Sequence, residues 1–335
     1  MKPAFVLLCS AMALAQSWVP RTSNTTASLR GISVASTSSA WAGGTGGTYL
    51  KTTDGGRTWT AAQVPGAERL DFRDVQAVDG RTAYLMTIGP GDQSRIYKTS
   101  DGGRQWRLRL PNPDSKGFFD AFAFWDATHG ILVGDPVDGL FVVYTTDDGG
   151  EHWRRRAGAT AKPAEGAFAA SGTCIAVAGP REAWFGTGGP EGARVFHSTD
   201  GGATFSETET PIRNDAASAG IFSLAFADAL HGVAVGGDYS KPEDGERNVA
   251  ITSDGGRTWT APPGHAPAGF RSAVAYLPAS HTWVAAGTSG SDISTDGGRT
   301  WSQFDKSDYN AVGFLASGFG FAVGPKGRLA QFSPR

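Results

Sequence analysis

Short apolar runs separated by polar turns recur along the chain. Gly31-Ile32-Ser33-Val34 is followed by Ala40-Trp41-Ala42-Gly43. Ala121-Phe122-Ala123-Phe124 is followed by Gly130-Ile131-Leu132-Val133-Gly134, and Ser223-Leu224-Ala225-Phe226 by Gly232-Val233-Ala234-Val235-Gly236. Runs of this length between turn-forming residues predict β-strands. Each pair reads as strands one and two of a unit, with a turn and a third strand after it.

An eight-residue motif then joins the third strand to a fourth. It reads Thr-Thr-Asp-Gly-Gly-Arg-Thr-Trp at 52–59 and returns at 99–106, 146–153, 198–205, 252–259 and 294–301, with Phe205 in place of the Trp in the fourth copy. The aligned aspartates are Asp54, Asp101, Asp148, Asp200, Asp254 and Asp296, separated by 42 to 54 residues. A period of that size suits a four-stranded propeller blade. Asp followed by two glycines makes a tight turn, because glycine accepts positive φ without a Cβ clash. The carboxylate and the Ser/Thr hydroxyl reach nearby backbone N–H groups and fix the turn. The Trp then opens the fourth strand and packs on the turn and the neighbouring blade. The other acids of a calcium loop are missing, so no metal is expected at this turn.

The motif resembles the Asp-box, or bacterial neuraminidase repeat, of sialidases, xyloglucanases, sortilin-type receptors and photosystem II assembly factors. In those families it is structural. Six boxes mark six blades. A seventh copy starts at Asn310, with strands at 311–314, 320–324 and 328–332, and has no box. Ser17-Trp18-Val19-Pro20 resembles the Trp-led fourth strands, so residues about 17–24 are expected to complete the last blade and remove its open edge. The expected fold is all-β: a seven-bladed β-propeller of four-stranded antiparallel blades, closed by the N-terminal strand. Strand one then lines the central channel. The boxes occupy one face, and the opposite face is the expected recognition face.

Composition agrees with many strands and turns: 47 Gly and 10 Trp in 335 residues. A net charge of −2 gives no basic field, so nucleic acid is not an expected partner. No stretch after residue 20 is long and apolar enough to span a bilayer. The start of the chain differs. Lys2, an apolar run over 4–14 and Ala13-Leu14-Ala15 describe a secretory signal peptide at 1–15. The expectation is an exported chain, periplasmic or secreted, with residues 16–335 forming a single propeller. Leu8 before Cys9 argues against a lipid-attachment site. Cys174 is then the only cysteine, unable to form an internal disulfide, and reads as a small buried hydrophobe. His129 and His231 each precede a Gly and read as turn residues; their positions give no metal-ligand spacing. No cofactor is expected.

Candidate chemistry comes from aligning the residues just before the first-strand cores. The column reads Arg30, Arg73, Asp120, Gly166 beside Glu165, Phe222, Arg271 and Asn310. Three arginines and two acids converging at a channel mouth suit a carboxylate, a phosphate or a polar chain; closed ion pairs between blades are the structural alternative. Loops between strands two and three add Asp135, Asp138, Asp238 and Tyr239 on the same face.

The whole chain, with its His-Gly-x-x-x-Val-Gly second strands, resembles the photosystem II stability/assembly-factor family. That resemblance implies a non-catalytic binding or assembly scaffold, with a protein partner or a glycan at the channel-mouth face. The alternative is a sialidase- or xyloglucanase-like glycoside hydrolase. The chain lacks the sialidase Phe/Tyr-Arg-Ile-Pro segment, and its seven repeats differ from the six-bladed sialidase ring. A two-carboxylate mechanism would draw on Asp120, Glu165, Asp135 and Asp138.

Overall fold

The computed structural model describes residues 16–334; the expected signal peptide lies outside them. Seven antiparallel sheets follow one another around a ring. Their first strands are Leu29–Val34, Asp71–Ala77, Phe119–Phe124, Ile175–Ala178, Ala219–Phe226, Ala273–Leu277 and Ala311–Phe314. These touch in cyclic order, and the first packs on the last. The fold is the seven-bladed propeller that the repeats predict.

The box explains why the blades repeat. In blade one, Thr52 Oγ1 donates to Asp54 Oδ1 at 2.8 Å and accepts from the Gly56 amide at 3.0 Å. The Asp54 carboxylate also accepts from the Thr58 amide and hydroxyl. These bonds, led by those from Thr58, hold its pKa down at about 2. Gly55 and Gly56 have φ of +74° and +81°. A Cβ on Gly56 would lie 2.5 Å from the Phe321 ring of the preceding blade. The second glycine therefore serves both the turn and the contact between blades. Trp59 stands edge-on to the same Phe321 ring, 5.2 Å between centroids. The Gly55 amide bonds to Ser38 O in the turn between strands one and two. The box thus lies on the face of that turn.

The ring closes as the sequence predicts. Ser17–Pro20 pairs antiparallel with Leu329–Ser333 and supplies the fourth strand of the last blade. Trp18 is buried among Phe304, Tyr309, Phe314 and Phe332, and its indole N–H donates to Ser291 Oγ at 3.0 Å. The strand is shorter than 17–24: Pro20 is its last residue, and Asn24 already bonds to Trp59 O in blade one.

Blade five departs locally from four strands. After its box only Thr260 pairs, through an isolated bridge to Ile251. Pro262 and Pro263 follow, and proline has no N–H to extend the ladder.

Candidate functional site

The mouth of the channel, opposite the boxes, holds a pocket of about 510 Å³. A recurrent backbone device supplies its walls. In blades one, two, three and five the register of strand one against strand two slips by one residue, at Arg30, Arg73, Asp120 and Phe222. Such a bulge leaves one residue unpaired and re-aims its side chain. All four line the pocket, joined by Ser272 and Asn310 from blades six and seven. Asp135 arrives by a second bulge, between strands two and three of blade three.

Blade four contributes differently. Residues 166–172 cross the channel mouth as a plug. The Ala167 amide donates to Asp135 Oδ1 in blade three, and Ala169 O accepts from Arg73 in blade two. Ser171 Oγ donates to Ser272 O in blade six. Phe168 stacks face to face on Phe222 of blade five at 3.9 Å, and Phe270 meets Phe222 edge-on at 4.7 Å. This plug explains the wide spacing between the boxes at Asp148 and Asp200. Its Ala-Phe-Ala-Ala sequence at 167–170 is the chain's signal for an apolar insertion here, and a single Phe without period gives no sign of an aromatic wall.

The pocket lining carries two guanidiniums and two carboxyls. Arg30 donates to Asn310 Oδ1 at 3.3 Å and Arg73 to Ala169 O at 3.0 Å. The Nε atoms of both are buried without a hydrogen bond. Burial first, and the neighbouring Arg73 charge second, bring the Arg30 pKa down to about 10; burial also lowers that of Arg73. Asp120 is 1% exposed, and neither carboxylate oxygen makes a hydrogen bond of ordinary geometry, although the Asp135 and Ala169 amides stand near it. Burial, then the neighbouring Asp135, push its pKa well above the usual carboxylate range. Burial raises that of Asp135 too. Among the described residues, none of these four makes an ion pair with another described side chain.

The other candidate residues sit elsewhere. Arg271 is fully buried in blade six, donating to Asp292 Oδ2 at 2.6 Å and to Ser289 and Phe270 O at 2.8 Å. It occupies the register of Leu29, facing Gly287 as Leu29 faces Gly44, so Ser272 takes the channel position. The column at blade six is thus displaced by one residue. Glu165 is buried against Arg194, with Thr187 and the Lys162 amide completing its bonds. Asp238 is buried and caps its own loop through the Ser240 amide and hydroxyl. Asp138 is an exposed turn residue with φ of +52°, 3.6 Å from Lys116. Tyr239 is exposed at the pocket rim, with its ring centroid 6.0 Å from that of Phe222.

Cys174 is fully buried, and burial pushes its thiol well above the ordinary value, which leaves it unactivated as a nucleophile. His129 and His231 each bond through amide and ring to an aspartate three residues earlier, Asp126 and Asp228. They cap turns on the box face.

The BNR/Asp-box repeat family matches residues 292–303. No curated protein matches the chain in sequence. Among solved structures, the chain is similar to YCF48 bound to D1 peptide, with a TM-score of 0.64 at 19% identity over 95% of this chain and 97% of that one. YCF48 from Cyanidioschyzon merolae gives 0.65 at 20% identity, over 96% and 99%. The WD40 β-propeller domain of Doa1 gives 0.66 at 12% identity, over 96% and 97%. At these identities the likeness is one of fold: the chain is a seven-bladed Asp-box propeller similar to YCF48 over nearly its whole length.

Proposed function

We propose that this chain is an exported, non-catalytic propeller that holds a segment of a partner protein at the channel mouth, as a binding or assembly scaffold. The observation that carries this is Arg30 and Arg73, two half-buried guanidiniums in one pocket that make no ion pair among the described residues, with Asp71 and Asp308 acting on them only at longer range. Guanidiniums in that state select carboxylates, and the wall of Phe168, Phe222 and Phe270 accepts apolar side chains. A polypeptide offers both groups, whereas a neutral glycan offers no charge to the arginines. The similar propeller YCF48 has been solved with a peptide bound, which supports the same use of this fold. Export rests on the signal-like pattern at 1–15.

Capture from the exported fraction on the immobilised protein, with crosslinks mapped by mass spectrometry, tests the reading. The expected result is a partner segment crosslinked at the channel mouth. Capture should fall about tenfold or more in Arg30→Ala/Arg73→Ala, the loss of roughly one charge-assisted contact. Glycan-array binding without protein capture would overturn it. N-terminal sequencing of the exported protein tests cleavage after Ala15.

Asp120 and Asp135 favour a second reading as a glycoside hydrolase, since paired carboxyls in an open pocket are that chemistry's requirement. Turnover of a glycoside panel, abolished by Asp135→Asn, would establish it.

A further inference from the structure

Asp120 poses a question that the ring does not answer. Its carboxylate lies at the wall of the pocket, 1% exposed, with neither oxygen in a hydrogen bond of ordinary geometry and no cationic partner; the Asp135 and Ala169 amides stand near it and ease its burial only in part. Buried carboxylates are ordinarily paired or hydrogen-bonded, and this chain does so elsewhere: Asp292 with Arg271, Glu165 with Arg194. Here two arginines line the same pocket, yet both are turned to other partners, Asn310 and Ala169 O. Asp135 stands beside Asp120; one of its oxygens accepts the Ala167 amide. The stacked pair Phe168 and Phe222, with Tyr239 at the rim, completes this part of the pocket.

Carboxyls without a cationic partner beside aromatic rings are the chemistry that takes up an organic cation. An arriving cation stabilises the ionised carboxyls that burial otherwise disfavours, and the rings cover the alkyl stem and attract the cation. Resting on the partner-binding reading above, we infer that Asp120, Asp135 and the Phe168–Phe222 stack form a subsite for an alkylammonium or guanidinium group, supplied by a lysine or arginine side chain of the bound segment. The arginines of the pocket take an anion and its aspartates a cation. The segment that fits carries both signs within a few residues.

The test is calorimetric titration of the purified protein with three probes: N-acetyl-lysine-N-methylamide, its norleucine counterpart of the same stem without charge, and pentylammonium. The lysine probe should bind with one-to-one stoichiometry, and the norleucine probe about tenfold or more weaker, the loss of a buried charge-assisted contact. Asp120→Asn should remove that difference, with thermal melting showing that the variant is folded. Asp135→Asn provides a second variant. Tighter binding of the lysine amide than of pentylammonium supports a side chain as the source. Pentylammonium binding as tightly points to a free amine and overturns the assignment to a bound segment.

Equal affinities for lysine and norleucine, affinities unchanged in both variants, or no heat with any probe at millimolar concentration would overturn the inference. Its failure is separable from that of the partner reading. A captured segment that depends on Arg30 and Arg73 but ignores Asp120→Asn and replacement of its own basic residues leaves the partner and removes the cation subsite. Asp120-dependent binding of the lysine probe, with no segment captured, does the reverse.

Discussion

Replacing Trp18 with alanine asks whether the N-terminal strand is a structural member of the ring or an ornament on its last blade. Trp18 is 6% exposed, and four aromatic rings surround it at centroid distances of 5.2 to 6.0 Å. Truncating a buried aromatic to alanine costs about 4 kcal/mol, from lost transfer energy and the cavity left behind. The indole N–H also leaves Ser291, itself fully buried, without its donor, which adds about 1 kcal/mol. The expected loss is about 5 kcal/mol. With an unfolding entropy of roughly 2.1 cal/mol/K per residue, the melting temperature should fall by about 7 °C for a chain of this size. Scanning calorimetry on Trp18→Ala and on the exposed neighbour Val19→Ala measures this. Val19 faces outward on the same strand, so its variant should melt within about 1 °C of the parent. Equal melting of the parent and Trp18→Ala would refute closure by this strand, as would equal losses at the two positions.

Three further outcomes follow from the geometry. Gly256→Ala forces a Cβ to within 3.2 Å of the Trp184 indole at φ of +85°, and should cost about 1–3 kcal/mol in a denaturant titration. Arg271→Met strands the buried Asp292 carboxylate and should cost about 3–5 kcal/mol, with Arg271→Met/Asp292→Leu recovering much of it; the calorimetric double-mutant cycle decides. The pH dependences of two aspartates have opposite signs. Asp54 has a folded pKa depressed to about 2, so its contribution is present above the ordinary carboxylate value and is lost as pH falls through about 2. Asp120 has a raised folded pKa, so its ionisation disfavours the fold increasingly as pH rises above the ordinary value. Asp120→Asn should therefore raise the melting temperature at pH 8 and change it little at pH 3, with equal effects at both pH values contradicting the assignment.

The ring was legible because its determinants are local. Each box carries its own turn chemistry, and the Trp-led segment at Trp18 could be matched to Trp59 by pattern alone. The channel-mouth column was legible where the blades share one length: Arg30, Arg73, Asp120, Phe222 and Asn310 all reach the pocket. It slipped at Arg271 because a one-residue register shift is invisible in a sequence whose apolar runs tolerate either alignment. It failed in blade four because the strand there begins at Ile175, after the plug, rather than near Glu165. Ion pairs such as Glu165 with Arg194 join residues whose separation carries no periodic signal, so their closed state could be seen only in three dimensions.

The two columns of strand one show which charges the fold requires. One step before each bulge stand Leu29, Phe72, Phe119 and Ile221, all apolar and all fully buried. Packing against the second strand and the next blade fixes their character. The bulged residues, Arg30, Arg73, Asp120 and Phe222, are two cations, an acid and an aromatic in equivalent places. Three chemistries at one register mean that the register itself sets no chemistry; the bulge frees the side chain from the ladder. Arg73 and Asp120 occupy this register on adjacent blades, and a structural role would join them as Arg271 is joined to Asp292. Instead, Arg73 donates to the Ala169 carbonyl and the buried Asp120 carboxyl has no cationic partner. An unpaired buried carboxylate costs stability, and Phe222 shows that an apolar residue fits the same register. On the proposed function, these charges serve what the pocket binds, although Arg30 and Arg73 also reach Asn310 and Ala169 O in other blades.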